Sequence, residues 1–165
     1  MIERREKMIY TYEDYRPRMT EYFRELTEIQ GDTYTEEQCR IWFDGIVNGV
    51  LEGNTEWLHI KDAQGNEVGQ LLIGIAPNCH PDADYYIEEA FVEKAARRNG
   101  IMTKAASEFI KDHPGTYCYF VLTKNELAKA FWEKVFTDAG YAPVTLRDVG
   151  AGDDSVIQCG YAPKT

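Results

Sequence analysis

The sequence predicts a single α/β domain, 1–165, in which a mixed, mostly antiparallel twisted sheet of about seven strands carries helices on both faces. Three observations predict it. Apolar residues recur at helical spacing in four stretches, separated by short runs rich in β-branched and aromatic residues. The runs 56–61 and 67–75 flank "DAQGN", whose turn chemistry favours an antiparallel hairpin. The runs 84–92 and 116–122 flank a helical stretch instead, which favours a parallel pair joined by a right-handed crossover.

The elements follow in order. Residues 8–12, "MIYTY", read as the first strand. Pro17 suits the first turn of a helix, Met19, Tyr22, Phe23, Leu26 and Ile29 keep its spacing, and Gly31 stops it. Thr35 and Gln38 form a capping box that opens a second helix. Cys39, Trp42, Phe43, Ile46, Val47 and Val50 make its apolar face, and Gly49 and Gly53 end it. The hairpin strands follow, then the loop "APNCHPDAD" and the strand 84–92. The third helix carries Ile101, Met102, Ala105, Ala106, Phe109 and Ile110 on one face and ends at Pro114–Gly115. Thr123 and Glu126 repeat the capping-box pattern. Leu127, Phe131 and Val135 give the fourth helix its buried stripe, and Gly140 closes it. Two shorter strands near 141–148 and 154–160 complete the chain, which has no internal repeat, low-complexity tract or linker.

Composition narrows the function classes. With 44% hydrophobic and 13% aromatic residues the chain can bury a core. No apolar run approaches the roughly 18–20 residues of a membrane span. The opening "MIERREKMIYTYEDY" is charged and lacks an apolar signal region, so a soluble, unexported, cytoplasmic protein with no membrane partner is expected. A net charge of −10 argues against nucleic acid, whose phosphates need a basic face. It permits a cationic ligand, because a negative field concentrates cations. Cys39, Cys79, Cys118 and Cys159 show no C-x-x-C spacing, so neither a metal site nor a redox pair is signalled. Cys39 and Cys118 fall on apolar positions and read as core; Cys79–His80 reads as loop.

Residues 96–105, "ARRNGIMTKA", hold the most informative local pattern. Two arginines, an asparagine and a glycine directly precede a helix start. Unpaired N–H groups and the positive end of the helix dipole make such a place an anion site. The plainer reading is a basic turn capping a surface helix.

With that loop set between a strand ending in Val92 and a helix, the chain resembles the GNAT superfamily of acetyl-CoA-dependent N-acetyltransferases. The family loop, Q/R-x-x-G-x-G/A, reads here as Arg97-Arg98-Asn99-Gly100-Ile101-Met102. A second family motif, N-x-x-A-x-x-F/Y-Y-E-K followed closely by G-F, is matched by "NELAKAFWEK" (125–134) and then "AGY" (139–141). The resemblance covers most of the chain, and its specific residues lie between 86 and 141.

The resemblance implies acetyl-CoA as cofactor and a sheet whose fourth and fifth strands are parallel and splayed. The pantetheine arm would pair with the fourth strand through Ala90, Phe91 and Val92, and the Val92 N–H would polarise the thioester carbonyl. The amides of Arg98, Asn99, Gly100, Ile101, Met102 and Thr103 would face the pyrophosphate, with Arg97 and Arg98 each pairing with a phosphate oxygen. Asn125 would touch the pantetheine arm; its local reading is a helix cap. Two positions depart from the pattern. Met102 replaces a small residue, so its side chain is expected to turn inward and leave only its amide at the site. Trp132 stands where the family has a tyrosine that reprotonates the thiolate, and an indole N–H cannot serve as that acid. Water, Tyr117, Tyr119 or Tyr141 remain for the task. The longer spacing from Lys134 to Gly140 suggests an extra helical turn.

An acceptor ammonium must lose a proton before it can attack, usually to a carboxylate. Glu88, which matches a glutamate of some aminoglycoside acetyltransferases of the family, is the favoured catalytic residue, with Glu89 in reserve. Strand alternation sends the two to opposite faces, so only one is expected to face the acceptor. Asp82 and Asp84 read as an acidic loop. Tyr22, Trp42 and Phe43 read as core, and Tyr34, between the first two helices, as a substrate contact. The expected function is direct transfer of acetyl to a primary amine of a small cationic acceptor in a ternary complex, since no cysteine lies in the motifs. The alternatives are a protein or peptide N-acetyltransferase, or a non-catalytic CoA-binding module. Family members are often dimers; no interface stripe is legible, so a homodimer stays open.

Overall fold

The computed structural model describes residues 2–3, 11–75, 80–149 and 157–163. Seven strands and four helices follow in the order β1 (Ile2–Glu3), α1 (Tyr12–Gln30), α2 (Glu36–Glu52), β2 (Thr55–Lys61), β3 (Glu67–Ile75), β4 (Tyr85–Val92), α3 (Ile101–Asp112), β5 (Tyr117–Leu122), α4 (Glu126–Asp138), β6 (Thr145–Val149) and β7 (Ile157–Ala162). One sheet takes the spatial order β1-β2-β3-β4-β5-β7-β6. Among the described residues only β4 and β5 pair in parallel; each other neighbouring pair is antiparallel.

Side-chain alternation divides the core into two layers. Ile60, Ile73, Ile87 and Val92 face α3 and α4, where they meet Phe109, Ile110, Val135 and Phe136. Trp57 and Leu72 face α1 and α2, where they meet Tyr15, Met19, Phe43 and Ile46.

Several element boundaries differ from the sequence reading. The strand expected at 8–12 is not the sheet's first: Ile2–Glu3 pairs with β2, Tyr12 begins α1, and residues 8–10 lie outside the described residues. The helix starts there, well ahead of Pro17, because Thr11 and Asp14 form a capping box. The Thr11 hydroxyl accepts from Asp14 N at 3.3 Å, and the Asp14 carboxylate accepts from Thr11 N at 3.2 Å. Pro17 therefore sits inside α1, where its ring removes one helical donor. Gly53, in the left-handed region, ends α2; Gly49 lies inside it, where Thr55 leaves no room for a Cβ. Asn125, not Thr123, caps α4. Leu127 points to solvent, and Trp132, Val135 and Phe136 bury the face it was expected to share with Phe131 and Val135. The fourth helix does run on to Asp138, as the long Lys134–Gly140 spacing suggests.

Cys39 is half-buried, and Cys118 is fully buried but disulfide-bonded, which its reading as a plain core residue did not foresee. Among the described residues no helix is long and apolar enough to cross a membrane.

Strands β3 and β4 approach closely at Gly69, where a Cβ would stand 2.4 Å from the Phe91 carbonyl oxygen and 3.0 Å from Val92. Gly69→Ala must push backbone against backbone. Chemical denaturation is expected to show a loss of about 1–3 kcal/mol, the usual cost of overpacking; an unchanged midpoint would contradict this packing.

Candidate active site

The β4–β5 ladder stops after Tyr85↔Tyr117, Tyr86↔Cys118 and Ile87↔Tyr119. Beyond Ile87 the two strands diverge, and β4 continues to pair with β3 alone through Gly69↔Val92. The bond from Glu93 N to Val68 O sets the phase of that ladder. In an antiparallel pair the bonded positions alternate, so Phe91 bonds toward β3 while the N–H and C=O of Ala90 and Val92 face the gap beside β5. The Val92 carbonyl accepts from Arg97 Nε at 2.7 Å. A strand edge thus lies open inside the sheet, where an extended amide-bearing chain fits.

A β-bulge corrects the expected placement of the two carboxylates. Leu72 pairs with Glu89 and Ile73 with Ile87, so Glu88 is an extra residue in β4. The inserted residue breaks the period of two. Glu88 and Glu89 therefore face the same side, toward α1 and α2, and line one cleft of about 350 Å³. Its walls come from α1 (Tyr22, Phe23, Leu26), the α1–α2 loop (Tyr34), α2 (Trp42), β4 with Ala90, β5 (Tyr119, Phe120, Leu122) and α4 (Asn125, Ala128, Trp132). A larger hollow, about 480 Å³, lies between the ends of α3 and α4 near Lys111, Pro114 and Tyr141. It contains no residue of β4 or of the loop after it, so the β4–β5 cleft is the candidate site.

The two carboxylates sit in different surroundings. Glu88 accepts from the Thr55 hydroxyl at 3.0 Å, and burial raises its pKa against that bond. Glu89 is 4% exposed and accepts from Gln70 Nε2 at 2.6 Å; among the described residues its Oε2 has no hydrogen-bond partner. Burial pushes the Glu89 carboxyl up to about 8 against the pull of Gln70 and Arg18, with the Glu88 charge adding to the rise. Glu89 is thus largely protonated at neutral pH, while the more accessible Glu88 is the one suited to accept a proton. Burial, reinforced by Glu89, also holds the Tyr22 phenol well above its ordinary value.

The loop after β4 is a 3-10 turn, Lys94–Ala96, followed by Arg97 to Gly100. Arg98 has φ 75° and Gly100 φ 65°, so two left-handed residues turn the chain into α3. The first turn of α3 has no side-chain cap, and nothing lies within 4 Å of where a Gly100 Cβ would stand. Its N–H groups are therefore accessible to an anion. Ile101 and Met102 pack their side chains against the core, leaving their backbone to the loop. Arg98, Asn99 and Gly100 are exposed. Arg97 is not placed as a free phosphate partner: besides the Val92 carbonyl it pairs with Glu25 at 2.8 Å and lies over the Phe91 ring.

Helix α1 grips this loop at three points that the sequence reading missed. Arg18 donates to Glu93 Oε1 at 3.0 Å, Glu21 accepts from Lys94 N at 2.8 Å, and Glu25 holds Arg97. Positions 18, 21 and 25 share one helical face. Arg18 also reaches Glu67 at 2.7 Å, within a cluster that includes Tyr15 and His59. Burial opposes ionisation of Glu67, but the bonds from His59, Tyr15 and Arg18 outweigh it and hold the carboxylate at about 2.

The remaining sequence candidates divide. Asn125 Oδ1 accepts from Ala128 N at 3.1 Å, so it caps α4 and lines the cleft at once. Trp132 is buried and forms a cleft wall against Tyr119, ring centroids 5.6 Å apart. Tyr117 donates its hydroxyl to the His113 carbonyl and Tyr141 to the Gly115 carbonyl, both at 2.6 Å and both at the closed end of the strands. Of the three tyrosines considered, only Tyr119 lines the cleft, and burial raises its phenol. Asp84 bonds Thr116 through N and Oδ2, clamping the start of β4 to that of β5. Tyr34 lines the cleft as expected, and Phe43 is core. Tyr22 and Trp42, expected as core, are cleft wall, because the opening beside β5 leaves their rings a free side. Gln70 carried a readable signal as the polar residue in the apolar run 68–75.

Comparison with solved structures shows that this mixed sheet with its parallel β4–β5 pair has the fold of the GNAT acetyltransferases. An acetyltransferase from Thermus thermophilus superposes over 92% of this chain and 90% of its own, with TM-score 0.62 and 15% identity. The PaiA N-acetyltransferase of Thermoplasma acidophilum, in complex with coenzyme A, covers 100% of this chain and 98% of its own, with TM-score 0.57 and 12% identity. An acetyltransferase from Agrobacterium tumefaciens covers 95% and 98%, with TM-score 0.59 and 15% identity. No family model matches the sequence, and no curated protein matches it.

The Glu89 environment makes stability depend on pH. Its folded value of about 8 lies above the ordinary 4.5, so the folded protein keeps a proton that the unfolded chain releases. That contribution is complete below pH 4.5 and is lost as pH rises through 8, by up to about 1.4 kcal/mol per unit. Urea midpoints of the wild type are expected to fall between pH 5 and 8 more steeply than those of Glu89→Gln; parallel slopes would contradict the assignment.

Proposed function

We propose that this protein is an N-acetyltransferase that joins the acetyl group of acetyl-CoA to a primary amine, with Glu88 taking the amine's proton. The observation that carries the reading is the wedge between β4 and β5, because it connects an open strand edge to a cleft holding two carboxylates in different surroundings. Bound acetyl-CoA would supply an activated thioester. The groups present suit it: Ala90 and Val92 offer backbone hydrogen bonds in the gap, the amides of residues 98–103 with Arg98 suit pyrophosphate, and Asn125 keeps its carboxamide donors beside the cleft.

The chain's residues divide the chemistry. Glu88 accepts a proton from the acceptor ammonium and so exposes its lone pair. The Val92 N–H, which faces the gap, would stabilise the charge gained by the thioester carbonyl oxygen. An ordinary thiol has pKa about 8.5, so its departure asks for little acid assistance; this suits a site where Trp132 replaces a phenol.

The test is thiol release from acetyl-CoA across a panel of amines, with a no-acceptor control. Acceptor-dependent release is expected; binding of acetyl-CoA without release for any amine would favour a CoA-binding module. Glu88→Gln is expected to lower kcat/KM about 100-fold at pH 7. The loss shrinks at pH 9.5, where free amine is plentiful, and a pH-independent loss would remove Glu88 from the base role. Gly100→Val forces a β-branched residue into φ 65°. Calorimetry is expected to show acetyl-CoA binding weakened at least about tenfold; unchanged affinity would dismiss the loop as the pyrophosphate site.

A further inference from the structure

Glu88 and Glu89 stand at the floor of a cleft whose other acceptor-side walls are rings and aliphatic groups. Tyr22, Phe23, Tyr34 and Trp42 form a connected cluster: the Phe23–Tyr34 centroids are 4.8 Å apart, Phe23–Trp42 5.6 Å and Tyr22–Trp42 5.9 Å. Across the opening stands Phe120, 43% exposed despite its size, with its ring 5.7 Å from Tyr86. From these placements we infer that the acceptor is a primary monoamine bearing an apolar, ring-sized body on a short linker, rather than a polycation or a peptide. The inference rests on the acetyltransferase reading and names its acceptor class.

Among the described residues, the charges lining the cleft disfavour the polycation. A second ammonium would need a second anionic partner. Among the described residues the lining holds two carboxylates, and Glu89 is 4% exposed with a carboxyl that burial pushes up to about 8, so the more accessible Glu88 is the better placed to pair with an ammonium. Four acids near the ends of β3 and β4 or on α1 are engaged elsewhere: Glu25 holds Arg97, Glu67 and Glu93 hold Arg18, and Asp84 is bonded to Thr116. The net charge of −10 therefore draws any cation toward the protein but does not select one with many charges in the cleft.

The walls also disfavour a peptide. A peptide brings an amide at every residue, and each amide buried against rings without a partner is costly. A flat apolar body instead gains stacking and burial from the same surface. The cavity volume of about 350 Å³ lies near the lower end of the usual range of roughly 300–1,000 Å³. Part of it must take the acyl end of the donor, so the acceptor body is small.

The test is calorimetric titration of the protein, alone and with CoA present, with 2-phenylethylamine, spermidine and an unblocked tetra-alanine peptide, followed by thiol-release assays with acetyl-CoA. The ring-bearing amine is expected to bind at least about tenfold tighter than the other two. Tyr34→Ala, a change in the exposed α1–α2 loop, is expected to remove about fivefold to tenfold of that affinity. Tyr34→Phe restores it, and spermidine binding stays unchanged in both variants. Tighter binding of spermidine or the peptide, or no effect of Tyr34→Ala on the ring-bearing amine, would overturn the inference. If 2-phenylethylamine binds tightly and depends on Tyr34 but no thiol is released, the acceptor-pocket inference stands and the acetyl-transfer reading fails.

Discussion

The early end of the parallel ladder between β4 and β5 governs the rest of the molecule. The strands are clamped where they start: Asp84 and Thr116 exchange backbone and side-chain bonds, and the Tyr117 and Tyr141 hydroxyls tie down the carbonyls of His113 and Gly115. Past Ile87↔Tyr119 they part. Two parallel strands fixed at one end and free at the other form a wedge, with a polar backbone edge on one wall and side chains on the other. The wedge spares the sheet a ligand cavity carved from its core. Ile73, Ile87, Val135 and Phe136 can remain close-packed behind it.

Two carboxylates enter this wedge side by side because of one extra residue. Had β4 kept its period, Glu88 and Glu89 would lie on opposite faces, and one would be buried among the aliphatic groups under α3. The bulge keeps both on the α1–α2 face, and their surroundings then separate them. Thr55 donates to Glu88, while Glu89 lies deeper on Gln70, where burial pushes its carboxyl up to about 8. Adjacent acids in unlike surroundings are a common way for one site to hold a base beside a neutral hydrogen-bonding group.

Most of the architecture was legible in the sequence because it rests on local patterns. The hairpin at "DAQGN", the Thr35 box and the glycine before Ile101 each state their geometry in a few residues. The Thr11–Asp14 box states its own equally well, but Pro17 drew the helix start to itself. Leu127 misled because helical spacing says which residues share a face and not which face is covered. The site was less legible than the fold. Nothing around Glu88 in sequence marks a bulge, since the extra residue is defined only against Leu72 and Ile73 of another strand. The roles of Tyr22 and Trp42 likewise depend on an opening that β5 creates about a hundred residues later.

Helix α1 presents two faces to the wedge. One supplies Tyr22, Phe23 and Leu26 to the cleft, and the other holds the loop into α3 through Arg18, Glu21 and Glu25. The cleft wall and the strap on the loop are thus borne on a single helix. Were ligands bound at both places, any coupling of their binding free energies through that helix would be equal in both directions.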